Sequence, residues 1–130
     1  MDVNLPDVLS EVEAAFARYE QALVQNDIAV LDELFWADPR TIRYGAGEAL
    51  YGIAAIRAFR RDRPAQDLAR TLQQTVLTTF GRDFATASTL FAREGAESRL
   101  GRQQQSWVRL AAGWRIVAAH VSTMPVSRPG

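Results

Sequence analysis

The sequence predicts an α+β fold in which N-terminal helices pack on a strongly curved, mostly antiparallel sheet, forming a cone with a pocket. Three observations predict it. Apolar residues recur with a helical period as far as Pro64 and with a period of two thereafter. The breaks between the later apolar runs are short: Gly81-Arg82, Glu94-Gly95-Ala96 and Ala111-Ala112-Gly113. Such breaks suit hairpins, because parallel neighbours need a crossover of about a dozen residues. A chain of 130 residues, 48% hydrophobic and 23% charged, is also the size and composition of one domain with one core.

The elements follow in order. Val12, Phe16, Tyr19 and Leu23 form the inward stripe of a first helix, with Glu13, Arg18, Glu20 and Gln25 off it. Asn26-Asp27 stops that helix and starts a second, since either side chain can cap free amides. The second helix carries Ile28, Leu31, Leu34 and Phe35 and ends near Trp36, ahead of Pro39. Residues 41–44 alternate as a strand, Gly45-Ala46-Gly47 turns it, and residues 49–51 return. A third helix over 53–63 points Ile56 and Phe59 inward and ends at Pro64. Four strands follow, over 68–80, 83–93, 99–110 and 114–122. Helices first and a meander after place the helices on one face of the sheet. Residues 1–124 read as a single domain and 125–130 as a flexible tail.

Composition narrows the chemistry. All 15 basic residues are arginine, there is no cysteine, and His120 is the sole histidine. That excludes a Schiff-base lysine, a cysteine nucleophile, a cysteine-ligated metal and a site built from several histidines. A serine triad would have to run through His120 alone. Tyrosine, carboxylates, one imidazole and arginine forks remain. A guanidinium stays protonated and grips a planar carboxylate with two parallel hydrogen bonds. Zero net charge gives no sign of nucleic acid or an anionic membrane as a partner. The first residues lack the pattern of a signal peptide, and no apolar run is long enough to span a bilayer, so a cytoplasmic location is expected.

Three places can carry chemistry. Tyr19 lies on the inward stripe, so its hydroxyl must find a partner there. Arg43 sits in the short strand, where Thr41 and Arg43 face opposite to Ile42 and Tyr44. Of Arg57, Arg60, Arg61 and Arg63 on the third helix, Arg60 falls four after Ile56 and is the one expected inward. In the last hairpin, a two-residue Ala112-Gly113 turn pairs Trp107 with Ala118, Gln105 with His120 and Gln103 with Ser122. On that register Gln103, Gln105, Trp107, His120 and Ser122 share one face, suited equally to lining a pocket, to a polar outer surface or to a dimer interface.

These segments together resemble a known family. FARYEQALVQND from Phe16, LFW from Leu34, TIRYGAGEALYG from Thr41, the IRAFRRDRP run, GRQQQSWVR from Gly101 and GWRIVAAHVS from Gly113 cover most of Val12 to Ser122. They are similar to SnoaL-like proteins of the nuclear-transport-factor-type cone fold. More narrowly, they resemble small bacterial proteins of the AtzH and HpxZ type, associated with cyanuric acid and oxalurate catabolism. The resemblance implies removal of a carboxylate from an N-carboxylated urea, dicarboxyurea, giving allophanate. It implies Tyr19 and Arg43 as the catalytic pair. It also implies a Glu-Phe pair closing one strand segment, where this chain reads Thr89-Leu90-Phe91.

The leading expectation is therefore a small decarboxylating hydrolase for a dianionic urea derivative, with no metal and no cofactor. Tyr19 is the proton donor and Arg43 the carboxylate clamp, with Arg60, Gln103, Gln105, Trp107, His120 and Ser122 as binding residues. A homodimer or higher homo-oligomer is expected, with Trp and Val on the exposed side of the sheet, together with a functional link to an amidase. Two other readings stay open. One is a non-catalytic small-molecule-binding or amidase-accessory protein. The other is a ketosteroid-isomerase-like isomerase or dehydratase, which needs an inward carboxylate, with Asp38 and Glu48 as the suspects.

Overall fold

A computed structural model of the chain describes residues 1–64 and 68–126. The first helix, α1 (Pro6–Gln25), begins earlier than the apolar stripe suggests, with Pro6 at its first turn. It buries Val8, Val12, Phe16, Tyr19, Ala22 and Leu23 along one side. Asn26 closes it in the left-handed conformation, and its amide bonds the Ala22 and Leu23 carbonyls. Asp27 then caps α2 (Ile28–Leu34) by accepting from the Val30 amide at 3.2 Å.

β1 (Ile42–Tyr44) and β2 (Ala49–Tyr51) form the expected hairpin, and α3 (Ile53–Asp62) follows it. Gly52 precedes α3 at φ 89°, and a Cβ there would crowd the Pro39 carbonyl. Arg63 is extended ahead of Pro64, as a residue before proline must be, and this ends the helix. The meander consists of β3 (Arg70–Phe80), β4 (Phe84–Arg93), β5 (Arg99–Leu110) and β6 (Gly113–Pro125). The last strand thus takes in Pro125, and the Val126 amide bonds the Ser98 carbonyl. The start of the expected tail is therefore part of the sheet, and residues 127–130 lie outside those described.

One six-stranded sheet runs β2-β1-β6-β5-β4-β3. All pairings are antiparallel except β1 with β6, which the intervening chain makes parallel. The helices cover one face. Their contacts with it bury Leu31, Phe35, Ile56, Trp107 and Ile116 completely or nearly so. Each such side chain contributes about 1.5–3 kcal/mol over an exposed one. Trp107, expected among the residues lining the pocket, is 0% exposed and Trp114 6%, so neither tryptophan lies on an exposed sheet face where it could form a dimer interface. The Trp114 indole donates to Glu11 on α1 at 3.1 Å, which ties the last hairpin to the first helix.

The β5–β6 register departs from the expected one in two steps. The turn is Ala111-Ala112, with Leu110 opposite Gly113, so Trp107 faces Ile116 rather than Ala118. That two-residue shift leaves every side chain on its expected face. A bulge between Ser106 and Trp107 then adds a single residue on β6, and beyond it Gln105 pairs with Ala119, Gln104 with His120 and Arg102 with Ser122. A one-residue slip exchanges faces. Gln103, Gln105 and Trp107 consequently point at the helices, whereas His120 and Ser122 point the other way.

Candidate active site

The inner face of the sheet carries a buried cluster of arginines around Tyr19. The Tyr19 ring is 4% exposed and meets Phe35 at 6.3 Å between centroids. Arg60, on α3, lays its guanidinium 4.8 Å from the centroid of the same Phe35 ring and donates to Asp32 of α2 at 3.0 Å. Burial pushes the Arg60 guanidinium below its ordinary value. Tyr19 and Asp32 oppose that push, and the like charge of Arg43 adds to it. Tyr19 and Arg43 therefore both lie within electrostatic reach of Arg60.

Arg43 reaches this cluster from β1. Its side chain is 13% exposed, donates from Nη1 to Glu48 Oε1 at 2.8 Å, and stacks over Phe59. Gly45 makes this possible, because a Cβ at that position would overlap the Glu48 carboxylate. Arg63 completes the group. Its Nη2 donates to the neutral amide oxygen of Asn26 at 3.1 Å, and its Nε is buried without a partner among the described residues. Burial lowers the Arg63 guanidinium, as do Arg60, Arg43 and Arg93, while Tyr19 raises it. Arg43, Arg60 and Arg63 each commit one terminal nitrogen to an acceptor among the described residues, although a guanidinium carries five donors.

Arg70 on β3 is different. Its side chain is 1% exposed, and it grips Glu20 of α1 with two bonds, Nε to Oε2 at 2.7 Å and Nη2 to Oε1 at 2.6 Å. Nη2 also donates to Gln103 Oε1 at 3.0 Å. Phe91 lies beneath this pair, with Arg70 4.4 Å and Arg93 5.3 Å from its ring centroid. Gly101 on β5 admits that ring, since any Cβ there would run into it. On β5, Gln105 accepts from the Trp107 indole at 3.0 Å. The Nε2 donors of Gln103 and Gln105 are both buried and have no partner among the described residues.

Of the expected site residues, Tyr19 and Arg60 share the Phe35 ring, Arg43 lies near Arg60, and Gln103 and Gln105 are buried on the same sheet face, with the Trp107 indole donating to Gln105. His120 and Ser122 do not join them. They border a groove of about 510 Å³ on the opposite sheet face, together with Ser88, Leu90, Arg102 and Gln104, and Gln103 and Thr89 also contribute to its lining. The bulge is the reason. Leu90 of the Thr89-Leu90-Phe91 segment borders the same groove, whereas Phe91 beside it is buried under Arg70. Glu20 corrects the reading of α1. It stands four residues after Phe16 and three before Leu23, at the edge of the inward stripe rather than off it. The cluster contains Glu20, Arg63, Arg70 and Arg93, none of which the sequence reading singled out as its partners.

Neither isomerase suspect is an inward, unpaired base. Asp38 is bound by the Arg40 backbone amide and guanidinium, which hold its carboxyl below the usual carboxylate range. Glu48 is bound to Arg43. Among the described residues no three His, Cys, Asp or Glu side chains are grouped to hold a metal. Nor does any described helix have the length and apolarity to cross a membrane.

Comparison with known proteins agrees with this architecture. A family model described as AtzH-like matches residues 1–127. No curated protein matches the chain. Among solved structures, a protein of unknown function of the DUF3225 family from Pectobacterium atrosepticum is 63% identical, with 95% of each chain covered and a TM-score of 0.93. A cystatin-like fold protein from Burkholderia xenovorans is 50% identical over 98% of this chain and 99% of that one, also at 0.93. An NTF2-like protein with a cystatin-like fold from Novosphingobium aromaticivorans shares the fold at 24% identity, covering 95% of this chain and 86% of that one at a TM-score of 0.73.

Proposed function

The chain belongs to the AtzH-like family, and from that premise we propose that it decarboxylates a small dianionic N-carboxylated urea such as dicarboxyurea, releasing allophanate. The observation that carries this reading is that buried Arg60 packs on the same Phe35 ring as Tyr19, with Arg43 and Arg63 close to Arg60 and each of the three bonded through one terminal nitrogen. Arginine forks recognise carboxylates, and their burial excludes the water that would weaken the grip.

The step balances without a cofactor. The bond between the carboxylate carbon and the urea nitrogen breaks, its electron pair stays on nitrogen, and carbon dioxide departs. Tyr19 delivers a proton to that nitrogen, and solvent restores the phenol. Arg43 holds the carboxylate that remains and stabilises the phenolate formed in passing. A guanidinium clamped on the departing carboxylate would instead favour the ground state, so the retained end is the one Arg43 should hold.

Incubating the purified chain with dicarboxyurea and following carbon dioxide and allophanate tests this. Turnover in the parent protein and its loss in Tyr19→Phe is the expected result. A parent protein that binds the dianion without turning it over would transfer the reading to a binding or amidase-accessory role. The groove on the outer sheet face suits association of two copies, and sedimentation of the purified chain would measure it.

A further inference from the structure

We infer that Gln103 and Gln105 are two locked amide donors that receive the urea carbonyl oxygen of the substrate and stabilise the charge released as the carbon–nitrogen bond breaks. This rests on the decarboxylation reading above and assigns the glutamines a part in the chemistry beyond binding.

The locks come first. Arg70 Nη2 donates to Gln103 Oε1 and the Trp107 indole to Gln105 Oε1, each at 3.0 Å. A guanidinium and an indole N–H can only donate. Turning either amide over would set one donor against another, so both present NH₂ as the free end. Both of these Nε2 atoms are buried without a partner among the described residues, in glutamines only 2% exposed. Buried donors left open in this way call for an acceptor.

The placement comes next. Gln105 on β5, Ala119 on β6 and Arg43 on β1 are consecutive partners across three strands, all on the inner face. Two strand spacings separate the Gln105 and Arg43 backbones by about 10 Å. On the strand between them the residue in register is Ala119, whose side chain is a single methyl. A substrate carboxylate held by Arg43 therefore directs the rest of the molecule toward the glutamines. When the carbon–nitrogen bond breaks, the electron pair left on nitrogen delocalises onto the adjacent carbonyl oxygen. Neutral donors fixed at that oxygen bind it more strongly as the charge develops, the logic of an oxyanion hole. Tyr19 then completes the step by protonating nitrogen.

Two dicarboxylate probes, used fresh and cold in the Tyr19→Phe background because 3-oxoglutarate is a β-keto acid that loses carbon dioxide by itself, separate this from simple anion binding. In 3-oxoglutarate a methylene replaces each N–H of dicarboxyurea and the central carbonyl is kept, whereas glutarate lacks the carbonyl. Calorimetric titration of the full chain should show 3-oxoglutarate binding roughly 10- to 100-fold tighter than glutarate. In Gln103→Met/Gln105→Met that preference should fall to about twofold with glutarate affinity unchanged, and turnover of dicarboxyurea should lose kcat rather than gain KM. Trp107→Phe, which keeps both glutamines and removes one lock, should lose part of the preference even if the double variant does not fold. Equal binding of the two probes by the Tyr19→Phe chain, or a preference that survives the substitutions, overturns the assignment but leaves the dianion site standing. Binding of neither probe overturns both.

Discussion

Replacing Glu20 by leucine leaves the Arg70 guanidinium charged, 1% exposed and pressed on Phe91 with only one of its three acceptor contacts. Removing one partner of a buried ion pair costs about 3–5 kcal/mol. In a chain of 130 residues each kcal/mol moves the melting temperature by about 3–5 °C, so Glu20→Leu should melt roughly 10–20 °C lower. Arg70→Met should cost less, because the Glu20 side chain, at 16% exposure, can turn to water. The double variant Glu20→Leu/Arg70→Met removes both charges and fills the space with apolar atoms. It should return to within about 1 kcal/mol of the parent, since a buried pair adds little over a well-packed isostere. Activity should not return with it, because Gln103 loses the donor that orients its amide. Urea denaturation of the four proteins gives the coupling energy, and turnover measured on the same samples gives the function. A loss below 1 kcal/mol in Glu20→Leu would show that water reaches the pair. Full turnover in the double variant would remove Arg70 as a positioning residue.

Other perturbations have equally definite outcomes. Tyr19→Phe keeps the ring against Phe35, so the melting temperature should hold while turnover falls by about 10²-fold or more; a fall in both would mark a structural tyrosine. Arg43→Lys should be nearly as damaging as Arg43→Ala in steady-state kinetics, because an ammonium cannot bond Glu48 and a carboxylate in one plane. Rescue by lysine would reduce Arg43 to a source of positive potential. Gly101→Ala forces the Phe91 ring off β5, and should disturb Arg70 and Arg93 with it. A cost of about 1–3 kcal/mol and a loss of 3-oxoglutarate binding are expected, and an unchanged protein would show that the ring can move aside freely.

The order of helices and strands was legible because periodicity and turn residues are local. The change of period at Pro64, the Asn26-Asp27 junction and the four-strand meander all appear in the structure at nearly their expected bounds. The inward direction of Tyr19 and Arg60 was legible for the same reason, being fixed by spacing within a helix, whereas the short strand left open which of its faces Arg43 would join. What pairing decides was not. No residue at Val117 announces a bulge, yet that one extra residue sends His120 and Ser122 to the opposite face from Gln103 and Gln105. Arg70 escaped notice because β3 does not alternate: its register breaks between Gln73 and Val76, and Gln74 takes a positive φ of 49°. Glu20 could have been found from its spacing to Phe16 and Leu23. Charge argued against that position until the partner 50 residues away was known.

The contacts that build the cluster also govern when it can exist. Arg70 meets Glu20 across 50 positions of sequence, Gln103 meets Arg70 across 33, and Trp114 fastens to Glu11 across 103. Chain closure over such separations must precede any of these bonds, which makes assembly slow compared with a helical bundle of the same size. No fragment of the chain holds enough of the constellation to bind. During refolding, ligand binding should therefore return with the slowest structural phase, after the helices have formed.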